Sequence, residues 1–203
     1  MSHHDEPDGW IGRSLLRKED NRHLLGASTF VGDIRMPGMQ DIAFVRSGSA
    51  HARVVDIEKP AGLEQRVYTL ADLDPIRSLD SGPEMASFRS VPYPPLASDR
   101  VRFVGQTVAA CMAPTRAEAE DIAQHVVLNV DELPVVINTV DSLKPGTATL
   151  FDEWTDNAFV HATIAGGDIA SVAGAPVQLR RQFKMNRQSV APLETRGIVA
   201  WWD

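Results

Sequence analysis

The chain has 203 residues, 43% of them hydrophobic and 23% charged, with a net charge of −7 at neutral pH. That is enough chain for one or two domains with a real core, and the balance excludes a disordered chain, a collagen-like fibre and a coiled coil. The acidic charge leaves no basic footprint for nucleic acid, and a single cysteine, Cys111, excludes both a disulfide framework and an iron–sulfur cluster held by this chain alone.

The first ten residues carry Asp5, Glu6 and Asp8 and are followed by no apolar stretch, so they do not read as a signal peptide. His3 and His4 read as part of a polar tail rather than as metal ligands. Residues 1–21 form an N-terminal arm with no sustained period. No run approaches 18 apolar residues, so nothing is expected to span a bilayer and the expected location is cytoplasmic. From residue 41 the pattern changes. Ile42, Phe44 and Val45 open an apolar run that stops at Ser47-Gly48-Ser49; Val54, Val55 and Ile57 form a second run that stops at Pro60. Two such runs about a turn predict a hairpin. Val67-Tyr68-Thr69-Leu70 predicts another short strand. Residues 74–95 hold Pro75, Pro83, Pro92 and Pro94 and read as a long surface loop.

The clearest local signals lie between residues 101 and 136. Val101, Phe103 and residues 107–112 predict a strand, with Gly105 marking a bulge or a close backbone approach. Thr115 precedes Glu118 by three residues, the spacing of a capping box. Ala119, Ile122, Ala123 and Val126 then recur at helical spacing, and Val127, Leu128 and Val130 resume a strand before Pro134. Strand, capped helix and strand predict a βαβ-like unit with a right-handed crossover and an α/β (α+β) fold class. Beyond residue 141, Lys144-Pro145-Gly146-Thr147 is a linker signature and Ala165-Gly166-Gly167-Asp168 a turn. Strand-like runs follow at residues 177–183 and 197–202. The last segment, residues 145–203, is marginal for a core of its own and runs into Trp201-Trp202. Two readings stand: the rings are covered by a partner that completes the domain, or they fold back onto the first domain.

The search for chemistry returns mostly negatives. There is no GxGxxG, no GxxxxGK[ST] and no HExxH. Cys111 sits in an apolar strand pattern and reads as a small buried hydrophobe. Ser14 lacks the second glycine of a nucleophile elbow. His51 and His125 have no carboxylate at local spacing, and His125 suits the C-terminus of a helix. Asp131-Glu132 and Asp152-Glu153 read as solvated pairs near turns. No catalytic, cofactor-binding or metal-ligating residue is assigned to this chain.

Three stretches carry a family resemblance. The first comprises Leu25-Gly26-Ala27-Ser28-Thr29-Phe30-Val31-Gly32-Asp33-Ile34, then Ala43-Phe44-Val45-Arg46-Ser47 and Ala50-His51-Ala52-Arg53-Val54. The second is Leu96-Ala97-Ser98-Asp99-Arg100-Val101-Arg102-Phe103-Val104-Gly105-Gln106-Thr107-Val108-Ala109, continuing into Thr115-Arg116-Ala117-Glu118-Ala119-Glu120-Asp121. The third is Ala191-Pro192-Leu193-Glu194-Thr195-Arg196-Gly197. Together they resemble the N-terminal part of the large subunit of the molybdenum hydroxylases, the family of xanthine dehydrogenase, aldehyde oxidase and carbon monoxide dehydrogenase. The resemblance departs at Ser47-Gly48-Ser49-Ala50-His51, which lacks the family's usual proline.

The resemblance implies a hammerhead-type mixed-sheet domain over residues 22–144. Residues 145–203 would be the opening of a molybdopterin-binding domain completed by a partner chain. It implies a split N-terminal subunit, or a fragment, of a complex that hydroxylates a small heteroaromatic or aldehyde-like substrate with oxygen from water. The molybdenum cofactor (molybdopterin or its cytosine dinucleotide), the 2Fe–2S clusters and FAD would lie on partner chains. Gly105 and Gln106 would bridge two elements at a domain boundary, or form a strand bulge with an exposed amide. Glu194 and Arg196 would form a charge-assisted bridge that docks the segment onto its partner, or an ordinary surface pair. Trp201 and Trp202 complete the candidate interface. The alternative function is a stand-alone scaffold or binding module without redox chemistry.

Overall fold

The structure is a computed structural model that describes residues 11–73, 75–79, 82, 87–91, 93–168, 170–192 and 194–203. His3, His4, Pro83 and Pro92 lie outside the described residues. In chain order the regular elements are α1 (Asp20–Leu24), β1 (Asp41–Arg46), β2 (Ala52–Glu58), β3 (Val67–Tyr68), β4 (Arg100–Val101), β5 (Thr107–Ala113), α2 (Arg116–Gln124) and β6 (Val127–Glu132). The chain divides into two units, Gly38–Gln178 and Met1–Pro37 with Leu179–Asp203. Among the described residues no helix is long and apolar enough to cross a membrane.

The unit Gly38–Gln178 holds two three-stranded sheets, ordered β1-β5-β3 and β4-β2-β6. Every pairing is antiparallel: Val45 stands opposite Ala109 across β1 and β5, and Val54 opposite Val130 across β2 and β6. β5 is the middle strand of its sheet, and its residues are buried or half-buried throughout. One core cluster draws on both sheets and on α2. Val67, Val101, Val108 and Cys111 are its largest fully buried side chains, with Ala52, Ala109, Ala113, Ala119 and Ile122 beside them. α2 packs on β1 and β5, and the small residues of β5 suit a close approach of that helix. Its start is set by Thr115, whose Oγ1 accepts from the Glu118 N–H at 3.3 Å. At the other end His125 closes the last turn, its N–H donating to Ile122 O at 3.0 Å and its Nδ1 lying 2.7 Å from Asp121 O.

Four sequence expectations require correction. β1 and β2 do not form a hairpin, because each pairs with other strands in a different sheet. The turn between them hands the chain from one sheet to the other. Ser49 N–H donates to Ser47 Oγ and Ser47 Oγ–H to Ser49 O, both at 3.0 Å, closing the bend locally. β5, α2 and β6 do not form a βαβ unit either: the two strands lie in separate antiparallel sheets, so no parallel crossover exists. Likewise Val101 belongs to β4 and residues 107–112 to β5, with the turn through Gly105 dividing the apolar run. Finally, residues 177–183 and 197–202 form no strand. Apolar alternation favours a strand only when a neighbouring strand satisfies its backbone, and among the described residues none pairs with these runs.

In the other unit, the short helix α1 is followed by a single turn of 3-10 helix at Val31–Asp33, where Phe30 N–H donates to Asp33 Oδ2 at 2.9 Å. The Phe30 ring stacks on His23 with centroids 5.7 Å apart.

The turn after β3 carries the most strongly perturbed carboxylate. Asp72 Oδ2 accepts from Lys59 Nζ at 2.8 Å and from both the N–H and the hydroxyl of Thr69 at 2.7 Å. The Lys59 bond and the two Thr69 bonds hold its carboxyl down at about 2. A depressed carboxylate contributes stability that is present above the unfolded-state value of about 3.9 and is lost as pH falls through the folded value. Urea unfolding of the chain at stepped pH is therefore expected to show stability falling between about pH 4 and pH 2. Asp72→Asn should be less stable at neutral pH and should show a smaller acid-dependent fall; an identical acid profile in the variant would contradict this reading.

Candidate functional site

Gly105 and Gln106 tie the end of β1 to the start of β5. Gly105 has φ +88°, and an added Cβ there would meet nothing within 4 Å, so the glycine answers a backbone requirement rather than a packing one. Its N–H donates to Ser47 O and its carbonyl accepts from Arg46 Nη1, both at 2.8 Å. Gln106 is buried rather than an exposed amide on a bulge. Its Oε1 accepts from the Arg102 N–H at 2.7 Å, and its carbonyl accepts from the Ser47 N–H at 2.9 Å. The pair thus joins two elements, both within the Gly38–Gln178 unit.

The same turn aims two arginines at residues 148–159. Arg100 and Arg102 stand two apart, so a strand-like backbone sends them to one side. The Arg100 side chain is only 8% exposed and forms a two-pronged pair with Asp152, Nη1–Oδ1 at 2.8 Å and Nη2–Oδ2 at 2.7 Å. That hydrogen-bonded pairing raises the Arg100 pKa and lowers that of Asp152. Asp152 is therefore a structural partner of Arg100, while its side chain stays 77% exposed, as its sequence context suggests. Arg102 Nε donates to Leu150 O at 3.1 Å, and its guanidinium lies 4.6 Å from the Phe151 ring centroid. Asn157 locks the segment internally: its Oδ1 accepts from the Leu150 N–H at 3.0 Å, and its Nδ2 donates to Ala148 O at 2.9 Å.

Next to this clamp is a cavity of about 340 Å³, walled by Phe88, Phe151, Trp154 and Phe159 with Arg89 at its edge. Phe151 and Trp154 lie 4.6 Å apart, and Phe88 meets Phe159 edge-on at 5.9 Å. Arg89 pairs with Asp156 at 3.0 Å while lying 5.3 Å from the Trp154 ring centroid, so its charge is already answered. Such a cavity suits a flat apolar group. The sequence alone gives no role to Arg89, Arg100, Arg102, Phe151 or Trp154. The i, i+2 arginine pair was the available signal; its partner Asp152 lies 52 residues away.

His51 is buried, with Nδ1 2.8 Å from Pro134 O and its own carbonyl accepting from the Leu133 N–H at 2.9 Å. Because a carbonyl only accepts, Nδ1 carries the proton, and Nε2 is buried without a partner. Cys111 is buried, and burial pushes its thiol pKa up, away from the thiolate a nucleophile requires. Among the described residues no group of three or more His, Cys, Asp or Glu side chains is placed to hold a metal ion.

In the other unit, Glu194 and Arg196 do not pair among the described residues. Glu194 Oε1 instead accepts from the Val31 N–H at 2.8 Å, 163 positions away, satisfying a free donor of the 3-10 turn. Gly197 sits against Val31, where an added Cβ would come within 2.8 Å of Val31 Cγ1. Trp201 is 72% exposed and Trp202 98% exposed, so neither ring is buried.

The Gly105 turn gives a direct stability test. Gly105→Ala is expected to destabilise by about 1–2 kcal/mol in urea unfolding, the cost of a left-handed backbone carrying a Cβ. Gly48→Ala, which meets open space at a φ outside the left-handed region, should stay within about 0.5 kcal/mol of the parent. Equal effects would show that the φ of Gly105 is not what the turn requires.

The fold and these geometries can be set beside known proteins. Residues 25–134 match the family model described as aldehyde oxidase and xanthine dehydrogenase, a/b hammerhead domain. The 6-hydroxypseudooxynicotine dehydrogenase complex subunit gamma of Paenarthrobacter nicotinovorans is 34% identical over 96% of this chain and 25% of its own length. The carbon monoxide dehydrogenase large chain of Hydrogenophaga pseudoflava is 35% identical over 92% of this chain and 25% of its own. The crystal structure of quinoline 2-oxidoreductase from Pseudomonas putida 86 superposes with a TM-score of 0.70 and 32% identity, covering 82% of this chain and 22% of that one. The chain therefore spans about a quarter of the length of the relatives it matches. With the hammerhead match over more than half its length and relatives above 30% identity across nearly all of it, the chain belongs to the aldehyde oxidase and xanthine dehydrogenase family of molybdenum hydroxylases.

Proposed function

We propose that this chain is the non-catalytic N-terminal part, as a separate subunit or as a piece of a longer chain, of a cytoplasmic molybdenum-dependent hydroxylase or dehydrogenase complex. The observation that supports this is the asymmetry of the matches: 96% of the chain is accounted for by 25% of a relative that is itself a subunit of a dehydrogenase complex. The complex would oxidise a heteroaromatic or aldehyde-like carbon, taking the oxygen from water.

Among the described residues no group of three or more His, Cys, Asp or Glu side chains is placed to hold a metal ion, and the Cys111 thiol is buried. The cofactor's seat is assigned to the longer polypeptide. Molybdopterin or its cytosine dinucleotide form, the 2Fe–2S clusters and FAD belong in this proposal to partner polypeptides, where they would supply the redox chemistry.

What this chain contributes is mechanical. Residues 22–144 are the hammerhead domain, and residues 145–203 the opening of a molybdopterin-binding domain that the longer chain completes. The Arg100–Asp152 and Arg102–Phe151 contacts fasten residues 150–152 to the hammerhead turn. The cavity beside them, walled by Phe88, Phe151, Trp154 and Phe159, would form part of the wall along which an aromatic substrate approaches.

Native mass spectrometry with metal analysis on material from the natural source tests the proposal. The expected result is this sequence in a particle that also contains a molybdopterin-binding polypeptide and molybdenum. A stable, metal-free particle of this chain alone would support the stand-alone scaffold instead.

A further inference from the structure

Residues 177–185 carry a strand pattern without a sheet. Val177, Leu179, Phe183 and Met185 recur on alternate positions, and Gln178, Arg180, Gln182 and Lys184 occupy the positions between; only Arg181 breaks the apolar row. Yet the segment lies outside every helix and strand. Its four apolar side chains are between 74% and 92% exposed. Among the described residues, its backbone makes no hydrogen bond to other backbone groups. A period-two apolar row is useful to a chain only when one face is covered and the backbone is paired.

The charge pattern narrows what could cover it. Arg180, Arg181, Lys184 and Arg187 fall within eight residues, and residues 177–193 contain no Asp or Glu, in a chain whose net charge is −7. The match to the dehydrogenase subunit takes in 96% of this chain, so residues 177–185 lie inside it, while three quarters of that relative lies outside the match.

Resting on the proposed function above, we infer that residues 177–185 are a donated β-strand that pairs with a sheet edge of the longer molybdopterin-binding polypeptide. In this mode the main chain provides the attraction and the alternate side chains provide the selectivity. The receiving edge must present apolar side chains to Val177, Leu179, Phe183 and Met185, and carboxylates to Arg180 and Lys184 on the opposite face. It must also offer Arg181 an acceptor on the apolar side, because a cation buried there without one would be strongly unfavourable.

Amide hydrogen exchange on the assembled enzyme, with proline variants, tests the inference. Peptides covering 177–185 are expected to exchange at least about tenfold more slowly in the assembly than in the free chain. Adjacent amides of a strand point to opposite sides, so one of Arg181→Pro and Gln182→Pro must delete an N–H facing the edge. At least one of the two should weaken assembly about tenfold relative to its alanine counterpart, with the melt of the free chain unchanged. Raising the ionic strength should weaken assembly of the parent as well. If the chain assembles with the molybdenum-bearing polypeptide while 177–185 stays unprotected and both proline variants assemble like their alanine counterparts, strand donation is overturned and the proposed function stands. Failure to associate at all overturns both. Equal protection in a self-associated dimer without the longer chain assigns the strand to a second copy and overturns the inference.

Discussion

Strand β5 is the middle strand of its sheet with every residue buried or half-buried, and the unit Gly38–Gln178 is arranged around that constraint. Residues 107–113 need a strand on each edge, which β1 and β3 supply, and a helix close by, which α2 supplies. The residue types follow. Ala109, Cys111 and Ala113 are small enough for α2 to approach, and Val108 joins Val101 of the second sheet in one core cluster. The Gly105–Gln106 turn makes the arrangement possible by bringing β5 in at the end of β1. It does so with a left-handed backbone that only glycine adopts freely, and with a buried amide that receives the Arg102 N–H.

Local signals in the sequence therefore carry the elements but not their partners. Thr115 and the 119–122–123–126 spacing mark α2, and the runs at 107–112 and 127–130 mark β5 and β6, because capping and periodicity act over a few residues. The hairpin and the βαβ unit fail for a common reason: adjacency along the chain says nothing about which edge a strand takes once two sheets share a core. The same limit governs the site. Gly105 and Gln106 stand out in the sequence as a candidate bridge at a domain boundary, and their hydrogen bonds to Arg46, Ser47 and Arg102 all lie within the Gly38–Gln178 unit. The bond from the Val31 N–H to Glu194 spans 163 positions, and the pairing of Arg100 with Asp152 spans 52. Neither distance leaves any local trace, so the sequence offers Glu194 only its neighbour Arg196 and shows no arginine partner for Asp152.

The two units differ in what they ask of their surroundings. The first holds the paired strands, the capped helix, the core cluster and the buried Arg100 paired with Asp152. In the second, Trp201, Trp202 and the apolar side chains of Leu179, Phe183 and Met185 remain in water. The family match places that contrast in context, since the relatives are about four times as long as the segment they share with this chain. The family's hammerhead domain model covers residues 25–134 of this chain, and in the proposal above the part played by that domain is packing and attachment.

The central claim is that the exposed C-terminal surface is an interface with the molybdenum-bearing polypeptide. Hydroxyl-radical footprinting of Trp201 and Trp202, read by mass spectrometry on the free chain and on the assembled enzyme, addresses it most directly. The account predicts ready oxidation of both rings in the free chain and strong protection in the assembly. Equal oxidation of the two tryptophans in both states would contradict it.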